Sequence, residues 1–185
     1  MRVILIAGGW SNEREVSLKG ARQIHAALEE LGHSVQPFDL SDGFQELARQ
    51  AEKTDFAFIN LHGMPGEDGC VQALLQTMQI PFQGAGPRGS LLALNKALSK
   101  QVYRNNGLTT PGWRLVPPEA MSTLAIENYP RILKPNTGGS SLGLYILKDD
   151  SDLKEAKQSI LPGREFILEE YVRGEEMTCA VLGET

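Results

Sequence analysis

A lysine at the end of an apolar run, followed at once by a glycine- and serine-rich loop, is the feature of this chain best suited to chemistry on an anion. The segment is Lys134-Pro135-Asn136-Thr137-Gly138-Gly139-Ser140-Ser141-Leu142-Gly143. Arg131-Ile132-Leu133 leads into it and Leu142 to Leu147 leads away, so the pattern predicts a hairpin with a polar bend. Glycine lets backbone N–H groups approach a polyphosphate closely, and lysine supplies a point charge. A plain surface hairpin shares this composition. A buried strand seldom ends in lysine for packing reasons, which favours the phosphate reading. The chain holds no G-x-x-x-x-G-K-[ST] segment, and Gly8-Gly9 is not a complete G-x-G-x-x-G.

Four other segments carry candidate chemistry. Lys96 and Lys100 lie four apart in a helical pattern, so they share a face. They are either solvent-facing or, with Lys134, a source of cations for one triphosphate. Glu169 and Glu170 end an apolar strand that reaches Val172, and Glu176 follows four residues on. Such a strand can offer backbone groups to a base edge, and a carboxylate beyond it can accept from ribose hydroxyls, although a solvated acidic edge strand reads the same way. His62 closes the apolar run Asp55–Leu61 and opens the turn Gly63-Met64-Pro65-Gly66-Glu67-Asp68-Gly69. It either meets a ligand or caps its own loop. Gly8-Gly9 precedes Asn12-Glu13-Arg14-Glu15, where the free N–H groups of a helix start attract an anion such as a carboxylate. Glu13 is suited to an ammonium. One amino acid carries both charges. Plain capping accounts for Asn12 and Glu15 but not for Glu13.

The elements that must position these residues follow from periodicity. Strands are expected at 3–7, 34–38, 55–61 and 80–82, with helices at about 12–31, 44–53 and 68–79. This alternation predicts a doubly wound parallel sheet, α/β in class, with ligands outside the carboxyl ends of its strands. A change of composition near Gly84-Ala85-Gly86-Pro87 places a boundary, giving units 1–86 and 87–185. The second unit reads as α+β. It has a helix at 90–106, strands at 113–116, 131–134, 142–147, 166–172 and 176–182, and a helix at 151–159 capped by Ser151 or Asp152.

Bulk properties narrow the partners. The chain has 185 residues, 41% hydrophobic and 22% charged, with a net charge of −5. The acidic excess lies wholly in residues 1–86, and the neutral second unit suits a small anion rather than a nucleic-acid groove. Two distant cysteines, Cys70 and Cys179, imply a reduced, cytoplasmic protein. No stretch approaches the roughly 18–20 apolar residues of a membrane span.

In this order and spacing, Gly8 to Ser17, Leu61 to Gly69, Leu94 to Lys100, Lys134 to Gly143 and Glu169 to Glu176 resemble the D-alanine–D-alanine ligases of the ATP-grasp superfamily. The resemblance implies an N-terminal substrate-binding α/β domain (1–86) and a central ATP-grasp subdomain (87–185). It also implies the activity. ATP phosphorylates a first D-alanine to an acyl phosphate, and the amine of a second D-alanine attacks it, giving a dipeptide for peptidoglycan. Residue by residue, the resemblance assigns Glu13 to the ammonium of the first D-alanine, with Gly9 and His62 beside that substrate. Ser140 links the flap to Glu13. Lys96 and Lys134 hold phosphates, Gly139, Ser140 and Ser141 cover them, Glu169, Glu170 and Val172 line the adenine, and Glu176 takes the ribose. Glu13 and Ser140 are the catalytic candidates. Gly138 stands where many relatives carry Glu, Glu170 where many carry Lys, and Asn95 where Asp is common.

The resemblance further implies a third domain with the ligands for Mg2+ or Mn2+. No metal ligand is assigned in this chain, which ends near where that domain should begin. The expectation is therefore a two-domain fragment with little or no activity of its own, dimeric through its first domain. D-lactate or D-serine as second substrate, another carboxylate–amine ligase of the superfamily, and a non-catalytic nucleotide-binding module stay open at this point.

Overall fold

The computed structural model describes residues 1–180. Its first half is built on β1 (Arg2–Ala7), whose residues from Val3 onward are all buried. Such an unbroken apolar run belongs in the middle of a parallel sheet covered on both faces. β2 (Ser34–Asp39) and β3 (Phe56–Ile59) flank it in parallel, in the order β2-β1-β3. Ile4 and Ile6 pack with Leu47 of α2 (Phe44–Ala51) and with Val71 and Leu75 of α3 (Cys70–Thr77). Leu5 and Ala7 point the other way, toward Leu18 and Ala21 of α1 (Arg14–Glu30). Each fully buried leucine or isoleucine contributes about 1.5–3 kcal/mol.

The second half holds an antiparallel sheet in the order β4-β7-β5-β6, made of β4 (Trp113–Val116), β5 (Arg131–Pro135), β6 (Tyr145–Leu147) and β7 (Phe166–Glu170). Leu133, Leu147, Phe166 and Leu168 form its core with Leu153 and Ala156 of α6 (Asp150–Ser159). Two helices join the halves, α4 (Pro87–Leu94) and α5 (Lys96–Asn105). Gly69, at φ +95°, starts α3 hard against α4: a Cβ there would lie 2.5 Å from the Pro87 carbonyl oxygen. Among the described residues no helix is long and apolar enough to cross a membrane.

The α/β class and both sheets agree with the sequence expectation, but several elements differ. The helix expected at 90–106 is two helices. Asn95 breaks it in an extended conformation (φ −88°, ψ 106°), and its side chain accepts from the Leu98 N–H at 3.0 Å. Asparagine competes for backbone donors in this way and so favours N-caps over helix interiors. The capping box at Asn12 does not form. α1 begins one residue later, without a side-chain cap, and Ser11 Oγ instead accepts from the Glu13 N–H at 3.2 Å. α6 is capped by Asp149 rather than by Ser151 or Asp152, its carboxylate taking the N–H groups of both. The strand expected at 142–147 shrinks to Tyr145–Leu147, because Leu142 and Leu144 close turns onto the Gly139 and Ser141 carbonyls. The strand at 80–82 is a single parallel bridge from Phe82 to Ala57. β3 stops at Ile59 and β7 at Glu170, short of the expected 61 and 172. Of the strand expected at 176–182, residues 176–180 carry no regular structure and 181–182 lie outside the described residues.

Candidate functional site

The carboxyl end of β1 turns through Gly8 (φ +71°) and Gly9 (φ +80°). Glycine is required at the first of these, since a Cβ on Gly8 would fall 2.3 Å from Asp39 Oδ1. The Gly8 N–H donates to Ser17 Oγ at 2.8 Å, and the Ser17 hydroxyl donates to the Asn60 carbonyl. Asn60 Nδ2 returns to the Ser17 carbonyl at 2.7 Å, so α1 is tied to the end of β3. The Gly9 N–H donates to Asp39 Oδ1 at 3.1 Å. A buried N–H takes the nearest acceptor rather than remain open. Burial works against the charge of Asp39, but the N–H groups of Ser41 and Gly9 and the Arg14 guanidinium prevail and hold its carboxyl below the usual range.

Glu13 leads into α1 beside the second loop. Its Oε2 lies 3.7 Å from where a Gly63 Cβ would stand, and its Oε1 accepts from Ser140 Oγ at 2.6 Å. The His62-Gly63 turn and the flap therefore converge on one carboxylate. His62 is partly buried, with Nδ1 4.0 Å from Glu67 Oε1. Ser140 and Ser141 take positive φ (51° and 56°), an uncommon conformation for side-chain-bearing residues and one that recurs at functional bends.

At the other edge of the flap, Asn136 welds β5 to α5. It is 2% exposed. Its carbonyl accepts from the Lys96 N–H at 2.9 Å, its Oδ1 from the Ala97 N–H at 2.9 Å, and its Nδ2 donates to Glu165 Oε2 at 3.1 Å. The first N–H groups of α5 are thus consumed within the protein, and any attraction for an anion here comes from side chains. Lys96 Nζ donates to the Gly138 carbonyl at 2.8 Å, at the base of the flap. Burial, and then the nearby charge of Lys134, push the Lys96 ammonium below its ordinary 10.5, with Glu169 acting the other way.

Lys134 and Glu169 sit on adjacent strands and form an ion pair. Glu169 also faces Lys100, whose Nζ lies 2.9 Å from its Oε2. Lys100 thus meets one carboxylate oxygen of Glu169 and Lys134 the other. Lys100 spends its hydrogen bonds on Thr110 Oγ1 at 2.6 Å and on the Pro111 carbonyl at 3.4 Å. It is 7% exposed, which overturns the view of it as a solvent-facing or phosphate-facing lysine. Glu170 is exposed; its carboxylate accepts from the Gly112 N–H at 3.0 Å and lies 3.7 Å from Arg131. Gly139, Val172 and Glu176 are exposed, with Val172 and Glu176 past the end of β7. Asn95 and Asn136 were not singled out as site residues from sequence. Asn136 lies inside the Lys134–Gly143 motif, and its burial alone would have flagged it.

Between the His62 turn and the flap lies a cleft of about 480 Å³, lined among others by Leu61, Gly66, Glu67, Gln72 and Gly138. The geometry is that of an ATP-grasp protein: a lysine-bearing antiparallel sheet with a glycine/serine flap, hinged beside a parallel-sheet domain whose loops meet that flap. The family models described as D-ala D-ala ligase N-terminus and C-terminus match residues 41–85 and 100–185. The D-alanine--D-alanine ligase of Oleidesulfovibrio alaskensis is 51% identical over 186 residues, covering 100% of this chain and 60% of that protein. The crystal structure of a D-alanine--D-alanine ligase from Bacillus anthracis superposes with a TM-score of 0.82 at 31% identity, over 94% of this chain and 58% of that one. The same protein complexed with ATP gives 0.78, over 94% and 60%. The chain belongs to the D-alanine–D-alanine ligase family. It spans about 60% of the length of the relatives it matches.

Proposed function

We propose that this chain forms the first-substrate and nucleotide-covering part of an ATP-dependent D-alanine–D-alanine ligase, with residues 1–86 and 87–185 as its two units. Glu13 holds the ammonium of the first D-alanine, and His62 and the Gly9 loop flank that substrate. Lys96 and Lys134 receive the phosphates of ATP, with Gly139, Ser140 and Ser141 folded over them. Glu169, Glu170 and Val172 border the adenine, and Glu176 takes the ribose. ATP phosphorylates the D-alanine carboxylate, the amine of a second D-alanine displaces phosphate, and the dipeptide serves peptidoglycan. Closing the flap excludes water from an acyl phosphate that would otherwise hydrolyse.

The observation that carries this reading is the double attachment of the flap. Ser140 bonds to Glu13 on the amino-acid side, and the Gly138 carbonyl bonds to Lys96 on the phosphate side. A magnesium ion would supply charge neutralisation during phosphoryl transfer. The described residues bring no group of three His, Cys, Asp or Glu side chains together, so they do not by themselves fit such an ion. A homodimer pairing through the first unit completes the proposal, and sedimentation analysis tests it.

Calorimetric titration with D-alanine, L-alanine and ATP tests the site itself. The reading requires D-alanine to bind in preference to L-alanine, Glu13→Gln to abolish that binding, and Lys96→Met to weaken ATP alone. Equal binding of the two enantiomers, or ATP binding indifferent to Lys96, overturns it. Phosphate release on mixing the chain with ATP and D-alanine reports whether the two units turn over unaided; the expected rate is near zero.

A further inference from the structure

Three charged side chains from three elements meet behind the flap: Lys134 on β5, Glu169 on β7 and Lys100 on α5. The carboxylate lies between the two ammonium groups. Lys100 and Glu169 are nearly fully buried (7% and 6% exposed), whereas Lys134 keeps 23% of its side chain open. Burying a lysine with no access to a ligand is costly unless the charge serves the fold or the site. Lys100 donates to Thr110 Oγ1 and the Pro111 carbonyl, and its Nζ lies 2.9 Å from Glu169 Oε2. Lys100 therefore adds a charge at Glu169 Oε2 and leaves Oε1 to Lys134.

The charge count explains why that matters. A Lys134–Glu169 pair alone is neutral, and a phosphate would have to draw the ammonium away from a full counter-charge. With Lys100 on the far side, the triad carries one net positive charge, and Lys134 is the member nearest solvent. We propose that Lys100 is a positioning residue for the nucleotide site: by offsetting the charge of Glu169 from behind, it frees the charge of Lys134 for an anion while Glu169 still fixes where that lysine points. The inference rests on the phosphate role given above to Lys134. Burial acts against the charge of Glu169, but Lys134 and Lys100 outweigh it and hold the carboxyl below its ordinary range, so the carboxylate stays ionised.

The test compares adenosine, ADP and ATP by calorimetry on the 185-residue chain, reading the gain in affinity that the phosphates add over adenosine. Lys100→Met should cut that gain about tenfold while leaving adenosine within about twofold. Lys100→Arg should retain most of it. The double variant Lys100→Met/Glu169→Gln removes one charge of each sign, restoring one net positive charge at Lys134, and should recover the gain. A purely structural lysine predicts the opposite: adenosine and ATP fall together, and the double variant recovers nothing. That result overturns the proposal. A ligand-free readout separates this from failure of the nucleotide reading. The NMR signal of the Lys134 ammonium should move in Lys100→Met and return in the double variant, whether or not ATP binds. An unmoved signal overturns the inference, whereas a moved signal with no ATP binding by the parent chain overturns the nucleotide assignment instead.

Discussion

Ser140 Oγ donates to Glu13 Oε1 at 2.6 Å, bridging 127 residues of chain and joining the flap to the loop at the head of α1. Ser140 makes this contact from a left-handed backbone conformation, φ +51°, which a serine adopts only when something holds it there. The flap is thus latched in part by the carboxylate proposed to receive an ammonium. A single exposed hydrogen bond to a charged group is worth about 1–2 kcal/mol. Ser140→Ala should therefore speed cleavage of the flap by a broad-specificity protease on the order of fivefold at unchanged global stability. Glu13→Gln keeps an acceptor and should protect the flap nearly as well as the parent. If both variants open the flap equally, the latch needs the charge of its acceptor as well as the hydrogen bond.

Asn136 makes a second prediction, on stability. Its side chain alone satisfies the Ala97 N–H and meets Glu165, all beneath the flap. Replacing it with alanine leaves a first-turn donor of α5 unpaired and opens a gap in a buried polar network. The expected loss is about 2–3 kcal/mol, read from urea unfolding. Asn95→Ala, which removes only the cap on Leu98, should cost about 1 kcal/mol. A smaller effect at Asn136 than at Asn95 would mean that α5 holds its place without β5.

These two asparagines mark the limit of what the sequence displayed. The sheet strands were legible because β1 and β3 are apolar runs and because strands alternate with helices. The candidate residues Glu13, His62, Lys96, Lys134 and Ser140 were legible because their types and spacing form motifs. The break at Asn95 was hidden because Leu94, Ala97 and Leu98 continue a helical pattern across it, and local periodicity carries no sign that the distant Asn136 takes the Lys96 and Ala97 N–H groups. Lys100 looked like an ordinary helix lysine for the same reason: its partner Glu169 is distant in sequence, and burial of a charge is decided by tertiary contact. The tie from the Gly9 N–H to Asp39 was hidden because nothing in Gly8-Gly9 announces Asp39, which lies at the end of a strand paired beside β1.

The acid limb of stability should report the clamp between the first and third strands. Arg2 donates to Asp55 through both its backbone N–H and its guanidinium, at 2.7 Å each, and these hydrogen bonds lower the Asp55 carboxyl to about 2. The unfolded chain titrates this group near its ordinary value, about 3.9. A carboxyl whose folded-state pKa is depressed contributes stability above the unfolded value and loses it as pH falls through the folded one. The urea midpoints of the parent and of Asp55→Asn should thus differ near neutrality, converge between about pH 4 and pH 2, and coincide below. A difference that persists at pH 2 would place the effect in packing rather than in the ion pair.

The alkaline limb of nucleotide binding should report Lys96. Burial and the neighbouring Lys134 lower its ammonium below 10.5 in the free protein, so the unliganded fold already disfavours that charge. A bound phosphate favours it and must raise the pKa again. Proton linkage then fixes the sign. ATP affinity is full where Lys96 is protonated in both states, and it falls as pH rises through the free-state value. The fall begins earlier than an ordinary lysine would allow, and binding in that window takes up protons. Titrations in two buffers of different ionisation enthalpy measure the uptake directly. Lys96→Arg holds its charge throughout, so it should flatten this limb and abolish the uptake while Lys134 remains. An unchanged alkaline limb in Lys96→Arg would assign the titrating cation elsewhere and remove Lys96 from the phosphate contacts.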